Sequence, residues 1–179
     1  MVNLISGEVL FNVRKDKPRP FRVQIKGRFV GSVGTSFVVK LTSDLTEVIV
    51  TEGTVKYYEM AAGVKKNSDV LLHVGQAGRF SQNTSEITNL SHREIQNRIA
   101  WLNGVLVFSG EPLSYVIADI SRYNDIQISI TPEIRDLEIG GRFDINDVER
   151  ILQALQISEG LDIYTSKDGT IYLSKKKIH

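Results

Sequence analysis

The 179-residue chain contains no cysteine, only four prolines and one tryptophan, and its net formal charge is +1. Without cysteine there is no disulfide framework, no thiol nucleophile, no iron–sulfur cluster and no Cys-ligated zinc, and this silence fits cytosol and periplasm alike. A charge so near zero lacks the basic excess of a general nucleic-acid binder, and a hydrophobic fraction of 41% is that of a folded protein rather than a disordered one. No apolar run approaches the roughly 20 residues needed to cross a bilayer; Val105–Phe108 is typical of the short runs present. The first residues, Met1-Val2-Asn3-Leu4-Ile5-Ser6-Gly7, have no basic region followed by an apolar core, so they do not read as a secretory signal. They open directly into strand-like sequence, which is expected of a piece of a longer protein.

Charge and pattern both change along the chain. Residues 1–90 hold 12 Lys+Arg and 8 Asp+Glu, whereas residues 91–179 hold 10 and 13, so a net +4 gives way to −3. Without the terminal run Lys175, Lys176 and Lys177, read as a solvated tail, residues 91–174 carry −6.

The first half reads with period two. Phe21, Val23 and Ile25 alternate with Arg22, Gln24 and Lys26, as expected of a half-buried strand. Val9/Phe11/Val13, Phe37/Val39/Leu41 and Val70/Leu72/Val74 repeat the pattern. Thr51-Glu52-Gly53 is short enough to join two strands as a hairpin, with Gly53 supplying positive φ. Residues 1–90 are therefore expected to form an all-β domain of short strands, as two packed sheets or a solenoid-like stack.

The second half adds helical spacing. Leu113, Val116, Ile117, Ile120 and Tyr123 follow a strand at Val105–Phe108 and a helix-starting Pro112, and Ile126/Ile128/Ile130 then alternate as a strand. A strand over Leu137–Phe143 leads to Asn146 and Glu149, which resemble a capping box before the helical Val148, Ile151, Leu152 and Leu155. Lys167-Asp168-Gly169 marks a hairpin between Leu161–Tyr164 and Thr170–Leu173. The expected fold class is thus α+β multidomain. An all-β domain (1–90) and a connector (91–103), opened by the capping box Ser91-His92-Arg93-Glu94, lead to a small βαβ–βαββ domain (104–179) with helices on one face of a sheet. Trp101, at the end of the connector, is expected either to orient one domain against the other or simply to pack in a core.

Few residues suggest chemistry. His73, His92 and His179 are scattered with no carboxylate cluster at ligand spacing, so no metal site and no cofactor are expected. Asp144, Asp147 and Glu149 lack the glycine and terminal glutamate of a calcium loop and read as helix-capping residues. Gly-Arg-Phe at 27–29, 78–80 and 141–143 has no regular period, and no phosphate loop or dinucleotide fingerprint is present. Gly34-Thr35 is the exception. It reads either as an ordinary strand entry or as a step at which the Thr35 hydroxyl attacks the Gly34 carbonyl, giving an ester that water opens.

The motifs together resemble the periplasmic part of FecR-type regulators, transmembrane anti-sigma factors of iron-uptake signalling in Gram-negative bacteria. The resemblance is carried by Gly7-Glu8-Val9-Leu10-Phe11, Arg19-Pro20-Phe21-Arg22-Val23, Val33-Gly34-Thr35-Ser36-Phe37, Glu52-Gly53-Thr54-Val55 and Val74-Gly75-Gln76-Ala77. It continues through Trp101-Leu102-Asn103-Gly104, Pro112-Leu113, Ser121-Arg122-Tyr123-Asn124 and Gly141-Arg142-Phe143. It implies an upstream sigma-factor-binding segment and one inner-membrane helix, with this region in the periplasm. It also implies a second domain similar to the short N-terminal domain of secretins and TonB-dependent receptors. By the same resemblance, the periplasmic signalling domain of a siderophore-loaded TonB-dependent receptor docks here, and the signal passes to an ECF-type sigma factor. Some family members self-cleave at the Gly-Thr step, which draws attention to Gly34 and Thr35. Trp101, Arg122, Tyr123, Arg142 and Phe143 are the residues expected at the docking surface, the alternative being that Tyr123 and Phe143 are core and both arginines simply solvated. The alternative reading is a structural assembly domain of a secretin-like envelope complex.

Overall fold

The computed structural model describes residues 1–16, 18–61, 64–65, 69–81 and 83–176. Lys177 and His179, read above as terminal residues, lie outside that range. The chain divides into two compact units, Met1–Gln96 and Asn97–His179. No described helix is long and apolar enough to cross a membrane.

The first unit is a sandwich of two sheets. One contains β1 (Val2–Asn3), β3 (Phe21–Ile25), β4 (Arg28–Ser32), β7 (Thr54–Ala61), β8 (Val64–Lys65) and β9 (Val70–His73), in the order β1-β3-β4-β7, with β8 and β9 both paired to β7. The other has the order β11-β10-β6-β5-β2, formed by β2 (Gly7–Asn12), β5 (Ser36–Leu41), β6 (Thr46–Glu52), β10 (Gln76–Phe80) and β11 (Ser85–Asn89). Period-two alternation sends Val23, Ile25, Val30, Val55 and Leu72 inward from the first sheet, and Phe37, Val39, Leu41, Val48 and Val50 inward from the second, into one core. Tyr57 and Phe80 stack across the two sheets with ring centroids 3.8 Å apart. Of the two expected arrangements, two packed sheets is the one found.

The expected hairpin at Thr51-Glu52-Gly53 is corrected. β6 and β7 belong to different sheets, so Gly53 (φ +79°) turns a corner between sheets instead of pairing its two neighbours. A left-handed glycine suits either geometry, and only the partners of the flanking strands separate them.

Helix α1 (His92–Arg98) spans the division between the units. Its capping box forms as read: Ser91 N–H donates to Glu94 Oε2 at 2.7 Å and Glu94 N–H to Ser91 Oγ at 3.3 Å. A 3-10 turn over Ala100–Asn103, closed by left-handed Gly104, leads into β12 (Val105–Pro112).

The second unit continues with α2 (Leu113–Tyr123), β13 (Ile128–Ile130), β14 (Glu138–Asp144), α3 (Val148–Glu159), β15 (Leu161–Thr165) and β16 (Ile171–Lys175). The elements are those the periodicity predicts, but the expected single sheet is not formed. β12 pairs antiparallel with β14, with an irregularity between Ser109 and Glu111, while β13 pairs parallel with β16 and β15 antiparallel with β16. β12 and β13 therefore flank α2 without pairing with each other, because alternation identifies a strand and not its neighbour. The apolar stripes of α2 (Leu113, Val116, Ile120) and α3 (Ile151, Leu155) share a core with Phe108, Ile139 and Leu173. The cap of α3 is Asp147 rather than Asn146: Asp147 Oδ1 accepts from Arg150 N–H at 3.1 Å.

Candidate functional site

Gly34 and Thr35 lie in the link that carries the chain from β4 in one sheet to β5 in the other. Gly34 is left-handed (φ +69°), and a Cβ there would stand 2.8 Å from Lys15 Cβ, so both conformation and space require glycine. Thr35 is buried, and its carbonyl accepts from Val13 N–H at 2.8 Å. Its hydroxyl Oγ1 is also buried and has no hydrogen-bond partner among the described residues. An unpaired buried hydroxyl costs about 1–3 kcal/mol, so this atom is neither solvated nor stabilised where it stands. The return corner lies against it: a Cβ on Gly53 would be 2.8 Å from Thr35 Cγ2 and 3.1 Å from the Gly34 carbonyl oxygen. Gly53 O accepts from Val74 N–H at 3.0 Å, which fixes the corner. A groove of about 670 Å³ is lined by Gly34 and Gly53 together with Arg22, Val33, Tyr58 and Leu71.

The residues proposed for docking separate into three environments. Trp101, in the 3-10 turn, packs on the second unit's core, and its indole Nε1 is buried without a hydrogen-bond partner among the described residues. Arg122 pairs with Asp119 one turn earlier on α2, at 2.5 Å, and that carboxylate is buried, so Arg122 is held within the helix. Tyr123 and Phe143 are half-buried against the same core, with the Phe143 ring 6.0 Å from Phe108. Arg142 alone of the set is exposed, on β14. Asn124 supplies the reason for the Arg-Tyr-Asn order: its side-chain amide donates to Ile120 O (2.9 Å) and Ile145 O (3.0 Å), tying the end of α2 to the segment before α3. Among the described residues, no three His, Asp or Glu side chains converge as a metal ion would need.

One surface feature went unread in the sequence. Tyr164 and Tyr172, directly opposite each other on β15 and β16, are 63% and 44% exposed with ring centroids 6.4 Å apart. The alternation Leu161/Ile163 inward and Asp162/Tyr164 outward was the signal for it.

The first unit is thus a β-sandwich with a Gly-Thr crossover between its sheets, and the second is a small α+β unit. Two family models match: the one described as FecR protein over residues 1–56, and the one described as FecR, C-terminal, over residues 105–173. Two crystal structures of a candidate anti-sigma factor from Parabacteroides distasonis ATCC 8503 superpose with TM-scores of 0.79 and 0.78 at 30% identity. Each alignment covers 96% of this chain and 79% or 78% of the other. No curated protein matches significantly. The chain belongs to the FecR family.

Proposed function

We propose that this chain is the signal-receiving, periplasmic region of a single-pass FecR regulator. Its second unit binds the signalling domain of a TonB-dependent siderophore receptor, and the signal passes through an upstream inner-membrane helix to an ECF-type sigma factor. The observation that carries this reading is the FecR C-terminal match, which falls on a unit with its own hydrophobic core. The −6 charge of residues 91–174 would steer a basic partner, with an attraction that salt screens. Calorimetric titration of the cognate receptor's isolated signalling domain into the 179-residue chain tests the reading. Saturable binding that weakens as salt rises supports it, and absence of binding at low salt counts against it.

The unpartnered Thr35 hydroxyl beside left-handed Gly34 favours a second, single-turnover role, self-cleavage. Thr35 Oγ1 adds to the Gly34 carbonyl carbon, the Gly34–Thr35 C–N bond breaks, and the nitrogen takes the hydroxyl proton to leave an amine and an ester. Water then hydrolyses the ester, releasing a Gly34 carboxylate and restoring the Thr35 hydroxyl. Relief of the buried, unpaired hydroxyl favours the forward step. Denaturing electrophoresis after long incubation reads the result directly: two bands support cleavage, and a persistent single full-length band contradicts it.

A further inference from the structure

The five-stranded sheet of the first unit carries a row of alternating charge across all its strands. Register places Glu8 (β2) opposite Lys40 (β5), Lys40 opposite Glu47 (β6), Glu47 opposite Arg79 (β10) and Arg79 opposite Glu86 (β11). Lys40 Nζ lies 3.9 Å from Glu8, and Arg79 Nε donates to Glu47 Oε1 at 2.9 Å. The row ends at Glu86 on β11, a strand that pairs with β10 on one side and with no described strand on the other. All five residues of β11 are exposed, and Ile87 keeps 47% of its surface in solvent. The edge has neither proline nor lysine, Glu86 is its one charged side chain, and its register with β10 is continuous, so proline and bulge blocks to strand addition are missing.

The backbone shows which groups are open. Leu90 N–H donates to Gly75 O and Ser81 N–H to Thr84 O, which makes Gln76/Asn89 and Phe80/Ser85 non-hydrogen-bonded pairs of the antiparallel ladder. Alternation then turns the N–H and C=O groups of Ser85, Ile87 and Asn89 away from β10. An antiparallel copy of β11 centred on Ile87 places Ile87 opposite Ile87, and Ser85 opposite Asn89 twice. These are the outward-facing positions, and each pair can exchange two backbone hydrogen bonds. The same register sets Glu86 opposite Thr88, so no like charges meet.

We propose that β11 is a self-association edge: two copies of the chain pair through Ser85–Asn89 about a twofold axis at Ile87, joining their five-stranded sheets into one. The register is self-complementary in hydrogen bonding, in charge and in its central Ile–Ile contact, which selects a second copy as the occupant. Five residues a side make a small interface, so the dimer is weak and reversible.

Sedimentation velocity of the intact chain from micromolar to millimolar concentration tests this, with substitutions at two exposed positions. Thr88→Lys sets a cation opposite Glu86 twice per dimer and should tighten the dissociation constant about two- to thirtyfold; Thr88→Glu should weaken it by a similar factor. Ile87→Pro removes the central outward donor without touching the ladder to β10 and should leave a folded monomer. Opposite shifts from one position cannot come from misfolding, and circular dichroism checks the fold of each variant. A chain that stays monomeric throughout, with Thr88→Lys included, overturns the proposal. So does a dimer indifferent to all three changes.

Discussion

A Cβ on Gly53 would stand 2.8 Å from Thr35 Cγ2, so two of the turns that carry the chain between the sheets of the first unit, β4 to β5 and β6 to β7, touch at the Gly-Thr step. Gly53 is also left-handed, at φ +79°. Gly53→Ala is therefore expected to destabilise the first unit by about 1–3 kcal/mol, through backbone strain and crowding of the Thr35 methyl. Thermal unfolding measures it, and an unchanged midpoint would show that the corner relaxes freely.

Replacing Thr35 separates chemistry from packing. Thr35→Val keeps the shape and removes the buried, unpaired hydroxyl, so it should abolish cleavage while leaving stability equal or higher. Thr35→Ser should still cleave. If cleavage occurs, residues 1–34 should stay bound to the remainder, because β2 pairs with β5 and β4 with β7 across the cut. Co-elution of the two fragments on a sizing column under native conditions checks this.

The two arginines proposed for docking should behave differently. Arg122→Ala leaves the buried Asp119 carboxylate without its cation and should cost about 1–3 kcal/mol. Arg142→Ala removes an exposed side chain and should change stability by no more than about 0.5 kcal/mol. Paired denaturant melts distinguish the two. A loss of receptor binding in Arg142→Ala without loss of stability would assign that residue to the interface.

The hairpin between β15 and β16 supplies a pH test. The Ser166 hydroxyl donates to Asp168 first, and Thr170 N–H second, so the Asp168 carboxyl is held below its ordinary value of 3.8. A folded pKa below the unfolded one contributes stability above the unfolded value, and the contribution is lost as pH falls through the folded pKa. Ser166→Ala should raise the Asp168 pKa in an NMR titration of its carboxyl carbon. An unmoved titration would remove the hydroxyl as the cause.

Much of this architecture is legible in the residues, and the illegible part has a common cause. Period two at Phe21–Ile25 and Phe37–Leu41, and helical spacing from Leu113 to Tyr123, each report burial on one face, which one segment can display alone. Pairing depends on two segments. Thus Gly53 was legible as a left-handed turn but not as a corner between sheets, and β12 as a strand but not as the partner of β14. The Gly34-Thr35 step was visible as a dipeptide, whereas its unpaired hydroxyl and its contact with Gly53 arise only when two distant links meet. Arg122 drew attention as a charge, and its neutralisation by Asp119 follows from i,i+3 spacing on one helix.

Hydrogen exchange of the intact chain, with and without the cognate receptor's signalling domain, tests the central claim most directly because it locates the receiver as well as detecting it. The account predicts added protection within residues 105–173, the span of the FecR C-terminal match, including the strands that bear Tyr164 and Tyr172. Protection confined to the sandwich of residues 1–90, with the second unit unchanged, would contradict it.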